Sequence, residues 1–409
     1  MKLFRRTLCA GVGAAALVLG ASSARAEAVK LTWFMWSSSE AEVNAWKHVA
    51  ALVTEKYPDI SVEFQTTAFL DYWTKLPALA ASGKLPDILS LQSLRFPGVA
   101  QIMEPLDQRI AADKLDLKEF DQSILKALSR NGKQLALPYD FGPLVMYYNH
   151  DMFVKAGLPL PAPGWTEADY NRDVKALTTD GHFGAVVSVP DAFMVFARSS
   201  GARFLDAKGE LDLTNEALKK AFTAYAAQVT DKNAPLFPAS GTLSSTVANG
   251  RFTSGVVATY VDGPWQMINL KTKANFTLGV APVPVRAAGS ITVSAGSGFG
   301  IAGSSKHKDE AWKAIQVMTG PDAAKYLAES GRAFSARSAY QTYWYDTAAK
   351  GVVGAREAIS TALKTAEPYV TTPNWASIAS LFEQYAPLAF AGSEPAPKVL
   401  DTIQQLAAQ

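Results

Sequence analysis

Alternating strand and helix signals along the chain predict an α/β protein built on mostly parallel sheets. Two short extended runs flanked by proline and glycine, Leu137-Pro138-Tyr139-Asp140-Phe141-Gly142-Pro143 and Gly279 to Pro284, predict that the chain crosses between two lobes. Residues 1–26 stand apart from both. Lys2, Arg5 and Arg6 precede an apolar run from Leu8 to Gly20, and Ala24-Arg25-Ala26 closes it with small residues at A-x-A spacing. This is an export signal with cleavage expected after Ala26, which places the working protein in the periplasm. The run is too short to span a bilayer permanently, and no later stretch reaches the roughly 18 apolar residues a spanning helix needs. Cys9 lies at the start of the apolar run rather than after it, which argues against acylation. Arg5-Arg6 keeps a twin-arginine route open beside ordinary secretion.

The chain has 409 residues, 39 of them basic and 37 acidic. Loss of Lys2, Arg5, Arg6 and Arg25 with the signal leaves 35 basic residues against 37 acidic, a formal charge of −2. Such a balance speaks against nucleic acid and anionic membrane as partners. The only cysteine, Cys9, leaves with the signal, so no disulfide is expected and stability rests on core burial. With 48% hydrophobic residues there is enough apolar chain for two or three lobes.

Each element has its local reason. Val29 to Trp36 reads as a strand, and Ser39-Glu40-Ala41-Glu42 as a capping box that opens a helix with Val43, Trp46, Ala50, Val53 and Tyr57 on one face. Pro58 ends it, and Ile60 to Phe64 is the next strand. A second helix runs from about Phe69 to Ser82 with Leu76, Leu79 and Ala80 inward; Gly83 stops it, and Asp87 to Leu91 is a buried strand. After the first crossing, Leu144 to Asn149 is a strand. Thr166 caps a helix with Tyr170, Val174 and Leu177 inward, and Thr214 opens another with Leu218, Phe222, Tyr225 and Val229 inward.

Four segments resemble the extracellular solute-binding proteins of ABC importers, in the cluster that includes the maltodextrin-binding and other sugar-binding proteins. They are Ala81 to Ile88 with its Gly83 and Pro86-Asp87; Gly132 to Gly142 followed by Tyr147 to Leu158; Asn249-Gly250-Arg251-Phe252 through Asp262-Gly263-Pro264-Trp265; and Ser304 to Lys313. Their order and the export signal together make the resemblance specific. It implies a two-lobed periplasmic-binding-protein fold of type II, with the ligand in the cleft between hinged lobes and a third crossing near Val317 to Gly320. The lobes are expected to comprise residues 27–139 with 282–318, and 140–281 with 319–409. The implied partners are a small-molecule ligand, most simply a mono- or oligosaccharide, and a membrane ABC permease; the protein is expected to be a monomer without a cofactor. At Gly164-Trp165-Thr166-Glu167 the chain departs from relatives that carry an aromatic just after the threonine.

Sugar chemistry selects site candidates separately. A pyranose offers an apolar C–H face that lies on an aromatic ring, and hydroxyls that need donors and acceptors around its edge. In open α/β sheets, ligands bind at the carboxyl ends of strands. Trp36 ends the first strand and is followed by Ser37, Ser38, Ser39 and Glu40. Tyr72 and Trp73 follow Asp71, where the family often places a contacting aromatic, although the helical pattern also puts Trp73 on the core face. Gln92, Ser93 and Arg95 follow the strand ending at Leu91. Asp140 lies in the first crossing, where it either accepts from hydroxyls or caps the turn. At Asp262-Gly263-Pro264-Trp265 a strand ends, glycine admits a ligand to the backbone, and tryptophan projects from a helix start. Gly296-Ser297-Gly298 would present backbone groups, and Arg337 and Trp375 complete the candidates.

Enzyme signals fail. Gly298-Phe299-Gly300-Ile301-Ala302-Gly303 matches a dinucleotide fingerprint formally, but no helix opens on it. His48, His150, His182 and His307 are scattered, so a transition-metal site is not expected. The competing classes are an exported carbohydrate hydrolase or lyase, which would hold two carboxylates roughly 5 to 10 Å apart, a chemosensory binding module, and a carrier of a polyol or glycerol phosphate.

Overall fold

The computed structural model describes residues 28–236, 244–369 and 371–409. The expected cleavage point after Ala26, Cys9 and Arg5-Arg6 lie outside the described residues.

The chain opens as β1 (Val29–Trp36), α1 (Glu40–Lys56), β2 (Ile60–Thr67), α2 (Phe69–Ala81) and β3 (Ile88–Gln92), the βαβαβ unit expected from the sequence. The Ser39 hydroxyl accepts from the Glu42 N–H and starts α1. Glu42 does not return the bond to Ser39. Its carboxylate accepts instead from the Ser38 N–H at 2.8 Å and the Ser38 hydroxyl at 3.1 Å, so the helix start is tied to the end of β1. Trp46, Ala50 and Val53 are buried on the inner face of α1. Gly83, at φ +67°, supplies the left-handed turn that closes α2.

β1 pairs in parallel with β2 and β3. The same sheet continues through the strand Thr292–Ile301, which runs antiparallel to β3 and to the strand Leu137–Pro143 and parallel to Ala366–Pro368. A second sheet, in the order Thr259–Asp262, Val145–Asn149, Leu278–Ala281, is antiparallel throughout. Between strands of the described residues, parallel pairing is therefore limited to β1 with its two neighbours and to the Ala366–Pro368 edge, apart from isolated bridges such as Phe183 with Val257, and the expectation of mostly parallel sheets is corrected on this point.

Leu137–Pro143 was expected as an interruption between sheets, yet it is a strand with all seven residues buried. Its two prolines are compatible with pairing because the ladder to Thr292–Ile301 is irregular, shifting register between Ser297 and Gly298. The change of sheet falls at Leu144, since Val145 already pairs with Asp262 in the second sheet. The return comes after Ala281, and the chain re-enters the first sheet at Thr292, with Thr292 beside Ala366 and Ser294 beside Pro143.

The later helices bury the faces that their periodicity requires. Glu167–Leu177 begins at a full capping box between Thr166 and Asp169 and buries Tyr170, Val174 and Leu177. Glu216–Thr230 is capped by Asn215, not by Thr214, because the Asn215 side chain reaches the Leu218 N–H while Thr214 is engaged with Asp212. The chain ends in the helices Trp375–Phe390 and Ala396–Ala407, which bury Ile378, Phe382, Leu400 and Ile403.

Candidate ligand site

Between the two sheets lies a cavity of about 340 Å³. Its first wall is built at the carboxyl ends of β1 and β3, by Trp36, Ser37, Ser38 and Gln92, with Phe69 from the start of α2. Its opposite wall is built by Asp262 and Trp265, by Asp191 at the start of the helix Asp191–Ser199, and by Asn249 and Asn269. Asp140, Gly296, Ser297 and Arg332 line it where the chain crosses from one sheet to the other.

The motif Asp262-Gly263-Pro264-Trp265 works through close approach. A Cβ on Gly263 would stand 2.2 Å from the Trp265 ring, so the glycine is what lets the indole fold back over the backbone. Gly142 plays the same part against Pro264, where a Cβ would meet the proline ring at 2.7 Å. The Tyr147 hydroxyl donates to the Gly263 carbonyl at 3.0 Å and fixes the turn from below. On the facing wall Trp36 is held edge-on by Phe69 and Tyr72, with ring centroids 5.4 and 5.2 Å away.

Arg332 anchors the floor. Its guanidinium lies 4.5 Å from the centroid of the fully buried Trp46 ring, 3.5 Å from the Asp140 carboxylate and 4.0 Å from Glu42. Asp140 also accepts from the Ser297 N–H at 2.7 Å, across the register shift in the strand pair. Asn269 spans the two walls: its amide nitrogen lies 3.3 Å from both the Ser38 hydroxyl and the Glu42 carboxylate, and 3.2 Å from the Gln266 carbonyl.

Burial pushes the Asp140 carboxyl up to about 6, against the opposing pull of Arg332 and the Ser297 N–H. Burial likewise pushes Asp262 up to about 6, although the Tyr260 hydroxyl and the Gly263 N–H donate to it. Glu383, beneath Ser244, is pushed up to about 7 by the same cause. A carboxyl raised above its unfolded value binds its proton more tightly when folded, so its stabilising effect is complete below the unfolded pKa near 4 and lost as pH rises through 6 to 7. Asp169, lowered to about 2 by Thr166 and Arg172, acts below this window. The unliganded protein should therefore show a higher urea midpoint at pH 5 than at pH 8. Equal midpoints, or a higher one at pH 8, would sink this account.

Of the residues expected from the sequence, Trp36, Ser37, Ser38, Gln92, Asp140, Asp262 and Trp265 face the cavity. Seven others do not line it. Glu40 is exposed on the first turn of α1, and Glu42 faces the cavity in its place. Tyr72 is fully buried and exchanges hydrogen bonds with the Ser90 backbone. Trp73 packs behind Trp36, as its core-facing helical position required. Arg95 is buried behind Gln92, donating to its side-chain carbonyl at 2.8 Å and lying over Phe69. Gly298 is inside the sheet, where a Cβ would meet the Leu137 carbonyl at 2.5 Å, while Gly296 reaches the cavity. Arg337 turns away to the Thr319 carbonyl and Glu119. Trp375 is core, against Phe204 and Tyr369. Sequence reasoning missed Glu42, Phe69, Asp191, Asn269 and Arg332. Only Glu42 had a local signal, since the third helical position of a capping box points back at the preceding strand end.

Comparison with known proteins places this architecture. Residues 49–352 match the family described as bacterial extracellular solute-binding protein. A lactose-binding protein of Rhizobium radiobacter is 27% identical over 327 residues, covering 76% of this chain and 74% of the relative. Among solved structures, an ABC substrate-binding protein of Listeria monocytogenes in complex with cycloalternan superposes with a TM-score of 0.84 at 24% identity, covering 92% of this chain and 97% of the other. An ABC transporter solute-binding protein of Agrobacterium radiobacter K84 in complex with ribitol gives 0.80 at 20% identity, over 93% and 98%. With most of its length matched and its two lobes enclosing a polar cavity, the chain belongs to the bacterial extracellular solute-binding protein family.

Proposed function

We propose that the protein captures a carbohydrate in the cavity between its lobes and delivers it to the permease of an ABC importer, working as a monomer in the periplasm after cleavage behind Ala26. The observation that carries this reading is the pair of indoles, Trp36 from one wall and Trp265 from the other, opening on one cavity edged by carboxylates and amides. Sugar C–H faces stack on such rings, and hydroxyls pair with such edges. The lactose-binding relative and the cycloalternan-bound neighbour support a saccharide; the ribitol-bound neighbour supports a polyol as the second reading.

The reading assigns no catalysis: glycans incubated with the protein should be returned intact. Thermal unfolding across sugars and polyols should reveal a ligand through a rise of RT ln(1 + [L]/Kd) in stability. The same ligand should compact the protein in small-angle scattering, because the lobes close about the crossings near Leu144 and residues 282–291. Calorimetric binding without compaction would remove the hinge. Amino-terminal sequencing of exported protein should read Glu27 first; a lipid-modified Cys9 would overturn the processing.

A further inference from the structure

The geometry points to a charge rule for this site: it takes neutral or amine-bearing sugars and polyols and rejects their acidic and phosphorylated counterparts, with Asp191 and Asp262 as the discriminating residues. The inference rests on the carbohydrate reading and adds the ligand's charge class to it.

Four carboxylates face the cavity, those of Glu42, Asp140, Asp191 and Asp262. Against them stands one interior cation, Arg332, and it is already engaged by Asp140 at 3.5 Å and Glu42 at 4.0 Å. The other lining cation, Lys273, is exposed at the rim. Asp191 and Asp262 have no cation within salt-bridge distance among the described residues, the buried Arg95 acting on Asp191 only from further off; their partners are neutral donors, Tyr369 to Asp191 at 2.7 Å, and Tyr260, the Gly263 N–H and the Trp265 indole to Asp262. The start of the helix Asp191–Ser199, where an anion would otherwise find free N–H groups, carries the Asp191 carboxylate in its first turn.

A second, independent feature asks for the same ligand chemistry. Asn269 is 3% exposed, and its Oδ1 has no hydrogen-bond partner among the described residues while its nitrogen is held by Ser38, Glu42 and Gln266. A buried acceptor left in this state calls for a donor from the ligand. Hydroxyls and ammonium groups donate; carboxylates and phosphates only accept. The site thus offers a surplus of acceptors, and an acidic ligand would bring more acceptors and a like charge into a partly desolvated space.

The test uses matched probes: D-galactose, D-glucose, lactose and ribitol; the acids D-galacturonate, D-glucuronate and lactobionate with glucose 6-phosphate; and the amines D-galactosamine and D-glucosamine, at pH 7.5. The expected result is a thermal shift with at least one neutral or amine probe and affinity at least about 100-fold weaker for its acid. The variant D191N/D262N should narrow that acid-to-neutral ratio by about tenfold or more, even as it weakens neutral binding. If an acid binds as tightly as its neutral partner, or the ratio is unchanged in folded variant, the charge rule falls while the carbohydrate reading stands. If no probe binds in any class, the carbohydrate reading falls and the charge rule with it.

Discussion

Trp265→Ala should weaken binding of the best sugar by roughly 30-fold to 1,000-fold, the equivalent of about 2 to 4 kcal/mol for truncating an aromatic anchor in a binding site. The fold should survive, because Trp265 is only partly buried and stands on a short turn rather than in the core. Gly263→Ala provides a partner experiment that deletes no aromatic surface. Its methyl would take the place the indole occupies, 2.2 Å from the ring, so the ring must move and affinity should fall in the same direction. Trp46→Ala should behave oppositely, losing about 3 to 5 kcal/mol of stability, since Trp46 is fully buried between Trp33, Tyr139 and Phe299. Titration of each variant with the same sugar, beside urea unfolding without it, separates the roles. A Trp265→Ala protein that unfolds early yet binds normally would show the residue to be core and the site misplaced.

The contrast between these tryptophans shows what the sequence could express. Trp36 and Trp265 were legible because both stand where a strand ends beside small or polar residues, a signal confined to a few neighbours. Asp140 was legible as a polar residue in an otherwise apolar run, although the strand around it was not. Its prolines argued against a sheet, and only the irregular ladder to Thr292–Ile301 reconciles them. Arg332 and Arg337 illustrate the limit. They stand at the two ends of one short irregular segment, and their side chains go to different partners, one to Asp140 and the other to Glu119. Which one meets the cavity depends on how that segment lies against Leu137–Pro143, a long-range contact with no local signature. Asn269 and Asp191 are of the same kind: each sits on an ordinary helix and gains its place only when the lobes meet. Trp375 erred in the other direction, since an aromatic at the head of an apolar helix is as good a core residue as a ligand platform.

Arg332→Met should cost about 3 to 5 kcal/mol of stability, as much as truncating Trp46, because it leaves Asp140 and Glu42 buried without the cation that faces them. The side chain of Arg332 is 4% exposed, as is that of Asp140, so water cannot replace the lost partner cheaply. Methionine keeps much of the volume over Trp46 and Tyr139, which isolates the electrostatic loss from a packing loss. The pH dependence has a definite sign. Asp140 already sits near 6 with Arg332 lowering it, so removal of the guanidinium raises it further. A raised folded-state pKa means that protonation rescues the fold, and the deficit relative to the parent should shrink as pH falls from 8 to 5. The double variant Arg332→Met with Asp140→Asn should recover part of the loss at pH 8, since it removes a charge together with its partner. Urea unfolding of the parent, the single and the double variant at both pH values decides the matter. A deficit that is the same at pH 5 and 8, with no recovery in the double variant, would mean that Arg332 acts by packing alone and that the ion network does not hold the floor of the site.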